Sequence, residues 1–273
     1  MKTVEMHMRP VTVSNSHTSK GNQLKWEQDG YWYKADAFGY ESLAETVCSR
    51  ILMHSNLPHP VCYEPVTIIY HDKAYRGCRS KNFKDENEML IPVERLCRQY
   101  TGMGLAKTLA RFSDVKERIS YTADLVANIT GLEEFGIYLT QLLEIDAFFL
   151  NEDRHTNNIA VIYDEQAKKY RLCPFFDMGL ALCADTVQDY PLGLDGEACL
   201  KKVQAKPFDR DFDEQLDAAN ALYGCFLRFG WSTEQMCAEL HHAADGGNYA
   251  PEECARVEWI LREQARKYTY MMI

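Results

Sequence analysis

Apolar positions in the first eighty residues mostly alternate with polar ones, the period of a half-buried strand. "QLKWEQDGYWYKAD" holds two aromatic-rich runs on either side of Asp29-Gly30, which predicts a β-hairpin. Lys34 follows Trp32 by two residues and so shares its face of the second run. In "YESLAETVCSRILMHSNLP" the period changes: Leu43, Val47, Ile51 and Leu52 predict a helix, with Pro58 closing it. "VCYEPVTIIY" and "KAYRGCRS" are again strand-like and are joined by His71-Asp72. The order is β-β-α-β-β, with the opening "MKTVEMHMRP" as an edge strand or tail.

From Lys84 onward helical spacing takes over. "SDVKERISYTADLVANIT" and "EEFGIYLTQLLEIDAFFL" predict helices, the second apolar nearly all round and therefore central. "IAVIYD", the polar turn "EQAKKY" and "RLCPFFD" predict a second hairpin, which puts Asp177 at the end of an apolar strand. "FDEQLDAANALYGCFLRFG", "TEQMCAELHHAAD" and "PEECARVEWILREQARKY" read as further helices. "LCADTVQDYPLGLDGEACLKKVQAKPF", rich in Pro, Gly and Asp, suits a mobile loop that shapes substrate choice. The pattern predicts an α+β, bilobal chain: a small β-rich lobe over residues 1–83 and a larger helical lobe over 84–273. The seam falls near Ser80–Phe83, and a cleft between lobes is where a ligand is expected.

Composition narrows the function classes. A net charge of −10 argues against non-specific binding to nucleic acid or an anionic membrane, both of which favour a basic surface. The 10 cysteines include no C-x-x-C pair, and no secretory leader pattern opens the chain, so reduced thiols in a cytoplasmic protein are expected. No apolar run reaches the length of a membrane span.

The chemistry concentrates in "FFLNEDRHTNNIAVI", where Asp153 and Asn158 stand five apart in a polar loop between apolar elements. Alone, such residues cap local turns. Two further features change the weighting. "FFDMGLAL" carries Asp177 with Gly179 two residues on, and Lys34 precedes a helix bearing Glu41 and Glu45. This set suits phosphoryl transfer from ATP, in which the protein positions groups and neutralises charge. Mg²⁺ takes hard oxygen ligands, which Asp177 and the Asn158 side chain could supply. Asp153 could accept a hydrogen bond from an attacking hydroxyl, and Lys34 could hold the α- and β-phosphates. A zinc site from His155, Asp153 and Asp177 lacks any H-x-x-x-H or thiolate pair, and His241-His242 are adjacent on a helix and so point apart.

The order Lys, helix Glu, Asp-x4-Asn, Asp-x-Gly is that of protein kinases. The D-R-H-x-x-N loop with "DMG" resembles the phosphoinositide lipid kinases and the bacterial HipA-like serine/threonine kinases. "TSKGNQLKW", "YWYKAD" and "GCRSKNFKDENEML" are similar to the phosphate loop, lysine strand and hinge of the short HipA/CtkA-like members. The resemblance runs from about Val11 to about Tyr223. It implies Asp153 as the catalytic acid, Asn158 and Asp177 as Mg²⁺ ligands, and Lys34 with Glu45 as the phosphate-holding pair. It further implies Ser19, Lys20 and Gly21 in the phosphate loop, an adenine pocket lined by Ser80, Lys81 and Phe83, and Arg154 and His155 bracing the loop. Ser14, Ser16, Thr18 and Ser19 are the candidates for self-phosphorylation. No G-x-G-x-x-G occurs, and the extra N-terminal subdomain of HipA toxins is not seen, which leaves an antitoxin-like partner without support.

The expected protein is an ATP- and Mg²⁺-dependent serine/threonine kinase whose acceptor is a protein, itself included. A lipid or small-molecule kinase of the same fold, and a pseudokinase interaction module, remain the alternatives. A lipid kinase calls for a basic amphipathic or polybasic segment, and aminoglycoside-type phosphotransferases lack the Arg-His after the Asp.

Overall fold

The computed structural model describes residues 2–11, 23–58 and 60–272. In chain order the elements begin with strands β1 (Lys2–Glu5), β2 (Lys25–Gln28) and β3 (Tyr31–Ala35), then helix α1 (Glu41–Met53). Strands β4 (Tyr63–Tyr70), β5 (Lys73–Lys81) and β6 (Glu88–Pro92) follow. Next are helices α2 (Val93–Thr101), α3 (Leu105–Leu109), α4 (Val115–Thr130) and α5 (Phe135–Phe149). A hairpin of β7 (Ala160–Asp164) and β8 (Lys169–Leu172) precedes α6 (Gly196–Lys202), α7 (Phe212–Tyr223), α8 (Thr233–Gly247) and α9 (Pro251–Lys267). None of the helices is long and apolar enough to cross a membrane, among the described residues.

The chain divides into two compact units. The first comprises Met1–Asn82, Phe176–Val203 and Arg228–Ile273; the second comprises Phe83–Phe175 and Gln204–Leu227.

In the first unit five strands lie in the order β1-β4-β5-β3-β2. The Asp29-Gly30 turn closes the β2–β3 hairpin, both residues at positive φ, as a two-residue turn matched to strand twist requires. His71 and Asp72, also at positive φ, do the same between β4 and β5. β1 is an edge strand, parallel to β4. Met6, Trp26, Tyr33, Ala35, Val66 and Ile68 form an apolar core. Lys34, one step out of phase with Tyr33 and Ala35, points to the opposite face.

Helix α1 is buried almost throughout, including Glu41, Ser42, Glu45 and Thr46, because it packs against the sheet and against α8. The periodicity that suggested one apolar stripe understated this. The helix also ends at Met53, earlier than Pro58 alone implied. α9 joins the same assembly through Arg76 on β5, which pairs with Glu253 at 2.8 Å.

Arg76 also lies 3.3 Å from Asp36, whose carboxylate accepts from Tyr249 Oη at 3.0 Å and from the Ser42 amide at 2.7 Å. Burial and the nearby Glu41 push the Asp36 carboxyl up to about 7, against the opposing pull of Ser42 and Arg76. A raised native value means that the folded chain holds a proton which the unfolded chain has released. Stability contributed by this group is therefore lost as pH rises from 3.8 to about 7. Asp36→Asn keeps an acceptor for the Ser42 amide but cannot ionise. The expected result in thermal melts is a wild-type Tm that falls relative to the Asn variant across that window; parallel curves would count against it.

In the second unit β6, β7 and β8 form an antiparallel sheet. β6 was not anticipated: its alternation spans only five residues and follows a charged stretch. Helix α5 is central, with α4 and α7 packed on it. Its buried Glu144 is compensated by the amides of Phe226 at 2.8 Å and Leu227 at 2.9 Å. α7 stops at Tyr223 because Gly224, at φ 98°, leaves the helical region, so "CFLRFG" does not continue it.

Two further expectations change. β8 ends at Leu172, before Pro174, which has no amide to donate, so Asp177 does not stand on a strand. The stretch expected to be a mobile loop contains α6, and the buried Arg256 of α9 grips it. The Arg256 guanidinium donates to the carbonyls of Tyr190, Pro191, Leu192 and Leu194. Truncating Arg256 to Ala leaves those carbonyls without their donor, and a loss of about 2–4 kcal/mol in urea unfolding is expected.

Candidate active site

In the first unit the alternation of β3 delivers Lys34 to the face covered by α1. The Lys34 ammonium pairs with Glu45 on α1 and with Asp177 Oδ1 at 2.7 Å. It also sits 5.1 Å from the centre of the Tyr63 ring. Lys34 is 8% exposed and Glu45 fully buried, so this is a desolvated charge cluster, whereas Asp177 keeps an exposed edge. Burial alone would depress the Lys34 ammonium; Asp177 and then Glu45 overcome that and hold it well above the ordinary lysine value. Lys34 is thus a permanent cation at neutral pH.

Glu45 does more than balance charge. Its second oxygen accepts from the Met178 amide at 2.9 Å, which anchors the Asp177-Met178 turn to α1. Asp177 itself has φ 64°, a left-handed conformation that Asp tolerates better than most residues. Gly179 shows no such need: an added Cβ would meet nothing nearer than 3.5 Å. Glu41, the other acid on α1, is committed elsewhere. Its carboxylate accepts from the amides of Ala37, Phe38 and Gly39, which fixes the turn leading into α1. Gly39 is required there, since a Cβ would lie 2.1 Å from the Ala184 carbonyl. Lys25, across the hairpin from Lys34, brings a second cation 4.0 Å from Asp177 Oδ1.

In the second unit α5 ends at Leu150 in the left-handed region, and the loop 151–158 is built from its own side chains. Arg154 is buried and grips Asp146 of α5 through two bonds, at 2.8 and 3.0 Å. Asn151 adds a third contact to Asp146 at 2.9 Å, and Arg154 reaches the Asn158 carbonyl at 3.0 Å. Burial pushes the Asp146 carboxyl up, and Arg154 draws it back. The Asp153 carbonyl accepts from the His155 amide at 2.8 Å and from Asn158 Nδ2 at 2.9 Å. His155 Nδ1 accepts from the Asn157 amide at 3.2 Å, and its Nε2 lies 4.0 Å from Asp153 Oδ2. Asp153 and Asn158 are therefore held as a pair. The loop is braced from within by Arg154 and His155.

Ser80 lies within the ladder, opposite Trp32 on one side and Tyr63 on the other, and Lys81 pairs with Tyr31. The Phe83 carbonyl accepts from Arg171 at 3.0 Å, within the second unit. Ser19, Lys20 and Gly21, with Ser14, Ser16 and Thr18, fall outside the described residues. Sequence reasoning did not find Lys25, Asp146 or Lys206, whose ammonium lies 3.8 Å from Asp153 Oδ1. Asp146 had a signal, an acid in the otherwise apolar run "IDAFFL". Lys25 and Lys206 had none, because their roles arise from long-range proximity.

Compared with solved structures, the chain is similar to the crystal structure of the Helicobacter pylori proinflammatory kinase CtkA. The TM-score is 0.62 at 15% sequence identity, over 97% of this chain and 94% of that one. The fold is kinase-like. A β-rich portion and a larger helical portion make up the α+β class that the periodicity predicted. No protein-family model matches the chain, and no curated protein matches it. At this identity the likeness carries the fold, and the chemistry has to be argued from the side chains.

Proposed function

We propose that the protein is an ATP- and Mg²⁺-dependent kinase that transfers the γ-phosphoryl group to a serine or threonine hydroxyl, on another protein or on itself. The observation that carries this reading is the buried Lys34–Glu45–Asp177 cluster on a kinase-like fold. A structural ion pair needs only two partners and has no use for a second carboxylate with an exposed edge. An ATP site needs a lysine fixed by one carboxylate and adjacent to another that can ligate a metal.

The donor set fits the ion: a carboxylate from Asp177 and an amide oxygen from Asn158 are hard ligands, and Mg²⁺ completes its shell with phosphate and water. When bound, Mg²⁺ would supply charge neutralisation on the phosphates. The chain's own residues do the rest. Lys34 holds the α- and β-phosphates as a fixed cation, and Glu45 fixes Lys34. Asp153 accepts a hydrogen bond from the attacking hydroxyl and orients it, and Arg154 with Asp146 keeps the Asp153 loop in shape. Ser80, Lys81 and Phe83 contribute to the adenine side, and Ser19, Lys20 and Gly21 to the phosphate side.

The test is thermal stabilisation by nucleotide. ATP with Mg²⁺ at about a hundred times its dissociation constant adds about 2.7 kcal/mol to a folded state that alone binds it. A rise in Tm is expected with ATP and Mg²⁺, a smaller one with chelator present, and little in Asp177→Asn. An equal rise in the Asn variant would remove Asp177 from the site. A rise in the wild type with no phosphoryl transfer to any hydroxyl would favour the pseudokinase reading.

A further inference from the structure

The second unit carries a cavity of ≈ 420 Å³ lined by Arg118, Ala205, Lys206, Pro207, Phe208, Asp209 and Arg210. Three of these are cations, in a chain whose net charge is −10. Such a cluster is the reverse of the average surface, and a cleft of one sign concentrates ligands of the other.

The charges are arranged rather than scattered. Arg118, on α4, is half-buried and braces the cavity wall. Its guanidinium donates to the Phe208 carbonyl at 2.5 Å and to the Phe112 carbonyl at 3.0 and 2.9 Å. Those neutral acceptors leave its positive charge in place. Asp209, the one acid in the lining, accepts from the Asp211 amide at 2.8 Å and keeps its negative charge, so the lining holds three cations against one carboxylate. Arg210 is exposed, and no carboxylate pairs with it among the described residues. Lys206 links the cavity to the proposed chemistry, with its ammonium 3.8 Å from Asp153 Oδ1. Pro207 gives the cavity an apolar part.

We infer that this cavity, through Lys206, Arg210 and Arg118, recognises an acidic residue flanking the acceptor serine or threonine. The inference rests on the proposed role of Asp153, because a hydroxyl held at Asp153 would carry its neighbours in the peptide past Lys206. An acidic neighbour meets the cationic lining there, and a basic one is repelled. The acceptor class is therefore a protein segment with Ser or Thr next to Asp or Glu.

The experiment uses the full chain and a fluorescent peptide in which one Ser is flanked by Glu, beside a copy with Gln in place of each Glu. Binding is read by anisotropy without nucleotide, at low and high salt. The wild type is expected to hold the acidic peptide about fivefold to tenfold more tightly than the neutral copy, with the ratio shrinking as salt rises. In Arg210→Glu and in Lys206→Ala the ratio is expected to collapse toward one. Arg266→Ala, an exposed cation of the first unit, is expected to leave it unchanged. Equal binding of both peptides to the wild type would overturn the inference, as would a ratio that survives both cavity variants. Phosphoryl transfer to the same two peptides separates the two proposals. A retained acidic preference in binding without transfer strikes the kinase reading, whereas transfer with no preference strikes the cavity alone.

Discussion

Replacing Asp153 by Ala is expected to lower phosphoryl transfer from ATP by about a thousandfold, the scale of a lost proton-accepting and orienting group. The fold should survive. What ties residue 153 into its loop is mostly backbone: its carbonyl receives the His155 amide and the Asn158 side chain, and its own amide donates to Asn151 Oδ1 at 3.3 Å. Alanine keeps all three. Stabilisation by ATP with Mg²⁺ should also persist in this variant, because the nucleotide-holding roles we propose fall to Lys34, Asp177 and Asn158. A separation of transfer from binding is thus the expected signature. Transfer near the wild-type rate would remove Asp153 from the chemistry, and loss of the folded state would make it a structural residue.

Arg154→Ala is expected to act in the opposite way, through stability. Arg154 and Asp146 are both buried, and the bidentate contact is what offsets the cost of a carboxylate within the apolar helix α5. Removing one partner of such a pair costs about 3–5 kcal/mol, because the other charge stays buried and uncompensated. Urea unfolding should register that loss in Arg154→Ala. Arg154→Met combined with Asp146→Leu should be less destabilised than Arg154→Ala, since no orphaned charge remains. Lysine at position 154 should rescue only in part, lacking the planar fork. A loss below about 1 kcal/mol would mean that the pair is effectively solvated, contrary to its burial.

What the sequence revealed follows its physics closely. The β2–β3 hairpin was legible because Asp29-Gly30 separates two aromatic runs, and α5 because its apolar residues surround the helix. The same alternation places Lys34 on the face that α1 covers. Choosing between Glu41 and Glu45 by spacing alone was harder, and the structure shows why both acids exist: one fixes the turn before the helix, the other meets the lysine. β6 escaped notice because five residues give too few alternations. The packing of α8 on α1 and β4 escaped because an amphipathic helix advertises a buried face but not its partner. Lys206 was invisible for a related reason. Its meaning lies in a 3.8 Å approach to a residue more than fifty positions earlier, and nothing in its neighbours records that.

The reading as a whole stands or falls on mass-spectrometric mapping of phosphate after the wild-type chain and Asp177→Asn are each incubated with ATP and Mg²⁺. The mapping should include an acceptor peptide bearing Ser beside Glu. Phosphoserine or phosphothreonine is expected on the peptide or on the wild-type chain itself, and on neither with the Asn variant. A wild-type chain that binds ATP yet leaves every hydroxyl unmodified, or an Asn variant that modifies them equally well, would contradict it.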